Sequence, residues 1–170
     1  MSVTCVIIMT FIAVSTNLQL VVNYSSFMEA IASRAGEDRY IVLAMVDEAF
    51  VDMAMNFHES SLGRHHIDNY LFVGVGNSSC DVLYEHSMAC FPYVDDPNAR
   101  EASEFGDTDF IRKMNIRTDM ILEALDANFT VVHTDLDVSF LANPLPEIKV
   151  TLRLKHRLHF FAVTVHNCYL

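Results

Sequence analysis

The stretch YIVLAMV, residues 40–46, is a continuous apolar run that ends at Asp47. Parallel strands typically have such sequences, because helices cover both faces of their sheet. Three further segments have a similar character: NYLFVGVG at 69–76, MACFPYV at 88–94 and FTVVHT at 129–134. Together these segments predict the strands of one largely buried sheet.

Segments with helical spacing separate the predicted strands. Helices are expected within residues 23–40 and 48–62 and from Asp107 or Thr108 to about Ala127, and a short helix or a turn is expected at 81–87. The residues expected to face inward are Phe27, Ala30, Ile31 and Ala35, then Phe50, Met53, Ala54 and Phe57, and finally Phe110, Ile111, Met114, Ile121, Leu122 and Leu125. Strands that alternate with helices predict an α/β fold with a mostly parallel sheet.

The composition bounds the class of protein. A chain of 170 residues is long enough for one domain with a real core. Hydrophobic residues make up 52% of it and charged residues 19%, which is typical of a globular protein and unlike a disordered one. The net charge of −11 argues against general nucleic-acid binding, which requires a basic face. A small polyanionic ligand would need a metal ion or a local basic cluster.

The N-terminal segment bears on the compartment. CVIIMTFIAV, residues 5–14, has the length of the apolar region of a signal peptide, and AVS at 13–15 resembles a cleavage site. The alternative is a buried element of the domain. Asn23, Asn77 and Asn128 each begin an N-x-[S/T] triplet, which is the acceptor for N-glycosylation. These features favour a secretory or lumenal protein without deciding it.

The four cysteines leave two interpretations open. Cys80 and Cys90 flank a short segment and could form a disulfide in an oxidising compartment. Free buried thiols are the alternative.

The segment TDLDVSFLANP, residues 134–144, places two carboxylates directly after an apolar strand. Side chains two residues apart on a strand point to the same side, so Asp135 and Asp137 are expected together at the carboxyl end of the sheet, where α/β proteins bind ligands. Two adjacent carboxylates repel each other unless a cation compensates, and Mg²⁺ or Mn²⁺ prefers such oxygen ligands. The alternative is a solvated loop.

A basic cluster lies on the last predicted helix. Arg112, Lys113 and Arg117 belong to the segment FIRKMNIRT, and Lys113 and Arg117 are like charges at i, i+4 that a nearby anion would stabilise. Alternatively, Asp109 pairs with Arg112 and Lys113 and leaves a solvated face. The histidines have no spacing typical of zinc sites, so they are predicted at the surface or in loops.

The order of these segments resembles the nucleotide-diphospho-sugar transferase domain, a group of GT-A-fold glycosyltransferases that includes plant rhamnogalacturonan xylosyltransferases. The segments that carry the resemblance are YIVLAMVDEAFVDMAMNFHES, HIDNYLFVGV, CDVLYEHSMACFPY, FIRKMNIRTDMILEAL and TDLDVSFLANPLPEI, between about residues 38 and 148. The resemblance implies a Rossmann-like GT-A half with a mostly parallel sheet flanked by helices. It also implies metal-dependent transfer of a sugar, from a nucleotide-sugar donor such as a UDP-sugar, to a glycan or glycoprotein acceptor.

The resemblance also implies roles for individual residues. Asp135 and Asp137 match the D-x-D motif that holds the metal, Mn²⁺ or Mg²⁺, and Asp135 also contacts the donor. Asp47 matches a position that contacts the nucleoside, whereas Lys113 and Arg117 match helix positions that approach the donor. A catalytic residue is not identified. Members of the family are typically lumenal or membrane-anchored Golgi proteins, and no nucleic-acid partner is implied.

We therefore expect three parts: an N-terminal segment 1–36, which is a signal or anchor followed by a helix, the transferase domain 37–148, and a divergent tail 149–170. Because only this tail follows LANPLPEI, the chain is expected to be truncated relative to the family. Two alternatives stay open. The first is an inactive lumenal binding or interaction module, and the second is a phosphatase of the haloacid-dehalogenase type with Asp135 as nucleophile.

Overall fold

One parallel sheet organises the computed structural model, which describes residues 24–94, 102–154 and 160–162. Its five strands lie in the order β3-β2-β1-β4-β5, and every neighbouring pair is parallel. Their bounds are Tyr40–Asp47 (β1), Tyr70–Val75 (β2), Cys90–Val94 (β3), Thr130–His133 (β4) and Phe160–Ala162 (β5). The predicted α/β, Rossmann-like architecture is confirmed, although β5 was not foreseen in the C-terminal tail.

Helices precede and connect the strands along the chain. They are α1 (Phe27–Ala35), α2 (Val51–Phe57), α3 (Asn77–Glu85), α4 (Thr108–Asp126) and α5 (Leu145–Leu154). A 3₁₀ turn, Glu48–Phe50, precedes α2, and a π-helical segment, His58–Gly63, continues it. The side chain of Ser26 caps α1 and that of Asp107 caps α4, where its carboxylate accepts a hydrogen bond from the Phe110 amide at 2.6 Å.

Alternate residues of β1 pack into two separate cores. Val42, Ala44 and Val46 belong to the core on one face of the sheet, which includes residues of α2 and α3. Ile41 and Leu43 belong to the other core, which includes residues of α1 and α4. Burial on both faces explains why β1 is an unbroken apolar run rather than an alternating one.

Packing and one helix cross the expected divisions of the chain, which stay predictions. Helix α1 lies within the segment 1–36, yet Phe27, Ala30 and Ile31 are fully part of a core that the sheet shares. Helix α5 crosses the expected boundary at 148/149. The apolar run 5–14 and the Asn23 triplet lie outside the described residues. In the described ranges, no helix combines the length and apolar character that crossing a membrane requires.

The predicted inward face is confirmed for α1 and wrong in part for the later helices. Phe50 is exposed, because the 3₁₀ turn shifts the phase and brings Val51 into the core instead. On α4, Ile111 and Leu122 are exposed, while Met120 and Ala124 are buried. Both faces of α4 carry apolar residues, so spacing alone did not identify the buried one.

A buried disulfide joins Cys80 on α3 to Cys90 on β3. The first of the two interpretations of these cysteines is therefore the correct one. The disulfide lies against Gly74 of β2, where an added Cβ atom would come within 2.7 Å of the Cys80 sulfur and 2.9 Å of the Ser79 hydroxyl oxygen. Glycine is required there because no side chain fits.

Replacing Gly74 with alanine is expected to lower the free energy of unfolding by about 1–3 kcal/mol, the usual cost of overpacking a core. Urea unfolding followed by circular dichroism would measure it. The cost should shrink in a Cys80→Ala/Cys90→Ala background, because the nearest obstructing atom is then absent. An equal cost in both backgrounds would show that the sulfur is not the obstruction.

Candidate functional site

A cleft of about 550 Å³ lies at the carboxyl ends of β1 and β4. These strands are neighbours in the sheet, and the backbone continues their pairing past β4, since the Thr134 amide donates to the Leu43 carbonyl at 3.1 Å. The N-terminal half of α4 forms the opposite wall through Phe110, Met114 and Arg117, which lie on one helical face. The cleft is thus at the edge where α/β sheets bind ligands.

The D-x-D motif lies in the loop that follows β4 rather than on the strand. β4 ends at His133, and residues 136 and 137 form a turn. Both Asp135 and Asp137 are nevertheless exposed and line the cleft. Leu136, between them, packs partly against the core, so the three side chains alternate between solvent and core.

Arg117 brings a positive charge to the first of the two carboxylates. Its Nη1 atom lies 3.3 Å from Asp135 Oδ1, and the two side chains are 33% and 59% exposed. An ion pair with that exposure contributes only about 0–1 kcal/mol, so a ligand can replace it at little cost. With Arg117, Asp135 and Asp137 as its charged lining residues, the cleft carries a net charge of −1.

Asp47 and Lys113 form a buried ion pair behind the cleft. Lys113 Nζ lies 2.8 Å from Asp47 Oδ2, and each side chain is only 4% exposed. Asp109 also contacts Lys113, at 3.3 Å, and pairs with Arg112 at 2.5 Å. The pairing of Asp109 with Arg112 and Lys113 is therefore present as in the alternative interpretation, but Lys113 is buried rather than part of a solvated face. Hydrogen bonds from Ser103 and Arg112 lower the pKa of Asp109 to about 2.

Neither Asp47 nor Lys113 belongs to the lining of the cleft. The Asp47–Lys113 pair ties the end of β1 to α4, and thereby holds two walls of the cleft together. One oxygen of Asp47, Oδ1, is buried and has no hydrogen-bond partner among the described residues. The predicted contacts of Asp47 and Lys113 with a donor stay predictions.

His133 was predicted at the surface or in a loop, and that is wrong. It is the last residue of β4, it is buried, and it lines the cleft. Burial, with a smaller effect of the Arg117 charge, lowers the pKa of His133 to about 4, against the opposing effect of Asp135. The imidazole is thus neutral at physiological pH and leaves the charge of the cleft unchanged.

The remaining wall of the cleft is apolar. Phe105 and Phe110 stack at a tilt, with 5.0 Å between ring centroids, and Phe105 is 92% exposed at the rim. The other apolar residues of the lining are Met45, Phe50, Met53, Met114 and Leu136. Flexible thioethers and aromatic faces of this kind suit the planar ring or the carbon face of an organic ligand.

The donor atoms in the cleft fit a divalent cation only if a ligand completes the coordination. Asp135 and Asp137 supply hard oxygen atoms, but no cluster of three or more metal-binding side chains occurs in the part of the chain that the structure describes. Mg²⁺ and similar ions commonly bind one or two carboxylates and take other ligands from phosphates and water. A cation would also offset the negative charge that repels a bare diphosphate.

The sequence thus anticipated part of the site. Arg117, Asp135 and Asp137 come together in the cleft, while Asp47 and Lys113 pair behind it. The apolar wall was missed, because Phe110 and Met114 were assigned to the core and Phe50 was expected to face inward.

Comparisons with known proteins identify the family of this chain. The sequence profile of the nucleotide-diphospho-sugar transferase family matches residues 65–158, which include α4 and the D-x-D motif. The match begins after β1, so Asp47 lies outside it.

A similar curated protein is an uncharacterized protein of Arabidopsis thaliana. It is 25% identical over 134 aligned residues, which cover 71% of this chain and 41% of the relative. The chain therefore spans about two fifths of the length of that relative. No solved structure matches the present chain significantly. Because the family profile covers more than half of the chain, this protein belongs to the nucleotide-diphospho-sugar transferase family.

Proposed function

We propose that this protein binds a nucleotide-diphospho-sugar, specifically a UDP-sugar, and transfers the sugar to a glycan or glycoprotein acceptor. In this proposal Asp135 and Asp137 would hold a divalent cation, Mn²⁺ or Mg²⁺, which would offset the negative charge of the diphosphate. Arg117 binds the phosphate oxygens from the side of α4.

The observation that carries the proposal is the meeting of Arg117, Asp135 and Asp137 at the mouth of one partly apolar cleft. A nucleotide sugar has a charged diphosphate and, beside it, less polar groups. The charged side of the cleft suits the diphosphate, and its apolar wall suits a less polar group. The volume of about 550 Å³ lies within the usual range of small-molecule sites. Family membership supports sugar transfer over the phosphatase alternative.

The side chains of the cleft have separate tasks in this scheme. When bound, the cation neutralises charge that develops on the leaving diphosphate. Arg117 can form two parallel hydrogen bonds to a phosphate, which fixes its orientation. The apolar wall excludes water from the ligand, and the buried Asp47–Lys113 pair keeps α4 at a constant distance from β1. Positioning and electrostatics are the main catalytic contributions that such a site offers.

We also propose that the protein works in the secretory lumen, in the Golgi, and that it is either free or membrane-anchored there. The buried Cys80–Cys90 disulfide supports this location, because such bonds form and persist in oxidising compartments. Asn128, which begins one of the three glycosylation triplets, is exposed.

Calorimetric titration of the full chain with UDP, with and without Mn²⁺, tests the proposal. We expect binding that requires the metal. Replacing both Asp135 and Asp137 with asparagine should weaken Mn²⁺-dependent binding on the order of 100-fold, since changes to outer contacts of metal sites alone cost about 10–100-fold. Asp126→Asn is the matched control, because Asp126 is an exposed carboxylate at the opposite end of α4.

The same variant separates a metal site from a simple anion site. Two neutral asparagines change the charge of the cleft lining from −1 to +1, which favours UDP in the absence of metal. Tighter metal-free binding together with lost Mn²⁺ dependence supports the proposal. Metal-dependent binding that survives the double substitution would refute it, and an aspartyl-phosphate on Asp135 would favour the phosphatase.

A further inference from the structure

The loop that carries Asp135 and Asp137 is anchored at Phe140. This loop forms neither helix nor strand, so its backbone polar groups need partners from other parts of the chain. The two aspartates are exposed, while Leu136 and Val138 pack partly against the core and Phe140 is buried in it. The loop is therefore fixed at its start by β4 and at its end by Phe140.

Both backbone groups of Phe140 bond to side chains that follow α2. Its amide donates to Ser61 Oγ at 2.9 Å, and its carbonyl oxygen lies 2.6 Å from His65 Nε2. Because a carbonyl can only accept, Nε2 carries the proton and donates. The Phe140 ring also packs edge-on against Phe57, with 5.3 Å between centroids. These three contacts fix both the position and the rotation of Phe140.

Ser61 owes its place to the π-helical segment His58–Gly63. A π turn is wider than an α turn and is frequent at functional sites. The neighbouring Ser60 hydroxyl lies 3.4 Å from that of Ser139, so this segment contacts two successive residues of the loop. Neither Ser61 nor His65 lines the cleft, so both act on it only through the loop.

We infer that Ser61 and His65 are positioning residues that hold the D-x-D loop in the geometry that the cation and the diphosphate require. The inference rests on the proposed function. Only two residues lie between Asp137 and Phe140, a stretch of at most about 11 Å, so a shift of Phe140 moves the carboxylate of Asp137. A site with two protein carboxylates depends strongly on their separation, because the described residues offer no third protein ligand to compensate.

Two substitutions of His65 form a matched pair. The amide nitrogen of glutamine reaches the place of Nε2, whereas that of asparagine falls one bond short. His65→Gln should therefore bind UDP and Mn²⁺ like the wild type, and His65→Asn should bind about 10-fold more weakly, as for lost outer contacts of other metal sites. The control is His66→Asn, since His66 is exposed and asparagine tolerates its φ of 53°.

Calorimetry well below the unfolding midpoint separates positioning from stability. A merely structural role would lower the midpoint but leave the affinity of the folded protein unchanged. Equal affinities of His65→Asn and His65→Gln would overturn the inference and leave the proposed function intact. A wild type without metal-dependent binding would instead overturn the proposed function itself.

If His65→Asn does not fold, Ser61→Ala decides, because it removes one oxygen atom only. It should weaken binding similarly, and an unchanged affinity overturns the inference.

Discussion

Replacing Lys113 with methionine is expected to lower the free energy of unfolding by about 3–5 kcal/mol, the usual cost of breaking a buried ion pair. The methionine side chain is nearly as long, so the packing of α4 is largely kept. The carboxylate of Asp47 would remain, 4% exposed, without the ammonium group now 2.8 Å away. Its second oxygen already lacks a hydrogen-bond partner in the described part of the chain. The variant therefore leaves a buried charge uncompensated.

Urea unfolding without ligand would measure the effect, and Lys149→Met provides the matched control. Lys149 pairs with Asp38 at 2.5 Å, but the two side chains are 30% and 70% exposed, so this substitution should cost less than about 1 kcal/mol. An Asp47→Leu/Lys113→Met variant should recover most of the lost stability, because an apolar pair removes both buried charges. Equal costs for the two single lysine variants would contradict the assignment.

The cost of Lys113→Met should also depend on pH. Burial by itself lowers the pKa of Lys113, but hydrogen bonds and charges of Asp47 and Asp109 outweigh it, so the pKa is raised above 10.5 in the folded protein. A raised pKa stabilises the fold below the unfolded value and ceases to do so as the pH rises through the folded value. The difference between wild type and variant should therefore shrink as the pH rises past about 10.5.

The strands were predictable because a strand that is buried on both faces has an almost continuous apolar sequence. In Tyr40–Asp47 and Tyr70–Val75, the side chains on both faces of the sheet are largely buried. The order in which the strands pair was not predictable in this way. β5 is only three residues long, which is too short for a recognisable apolar run. The tail was therefore set apart from the domain, although its backbone extends the sheet beyond β4.

The candidate site was predictable where its residues are close in sequence. Asp135 and Asp137 could be placed together because they are two residues apart and follow a strand. The Asp47–Lys113 pair spans 66 residues, and only the tertiary fold decides that Lys113 turns inward. The anchoring of Phe140 by Ser61, 79 residues away, was equally invisible, since neither residue has a distinctive motif around it.

Removing the disulfide by Cys80→Ala/Cys90→Ala is expected to cost about 2–3 kcal/mol, from the entropy of a cross-link that closes a short loop. The two cysteines are ten residues apart, and both are buried between α3 and β3. A loss of this size is a large part of a typical total stability of about 5–15 kcal/mol. Urea unfolding of the variant beside the oxidised wild type would measure it, and equal midpoints would refute the expectation.

Burial of both sulfur atoms makes a second, kinetic test possible for the wild type. A reductant reaches the Cys80–Cys90 bond only when the surrounding core opens, so the folded protein should resist reduction. Thiol alkylation followed by mass spectrometry should show reduction that accelerates with urea well below the unfolding midpoint. A rate that does not depend on urea would mean that the bond is accessible in the native state.

If reduction does require opening, a chain that folds in its oxidised form keeps the disulfide during brief exposure to a reductant. A chain that is synthesised in a reducing compartment must fold without the roughly 2–3 kcal/mol that the disulfide contributes. The same bond therefore links the stability of the sheet to the lumenal location that we propose.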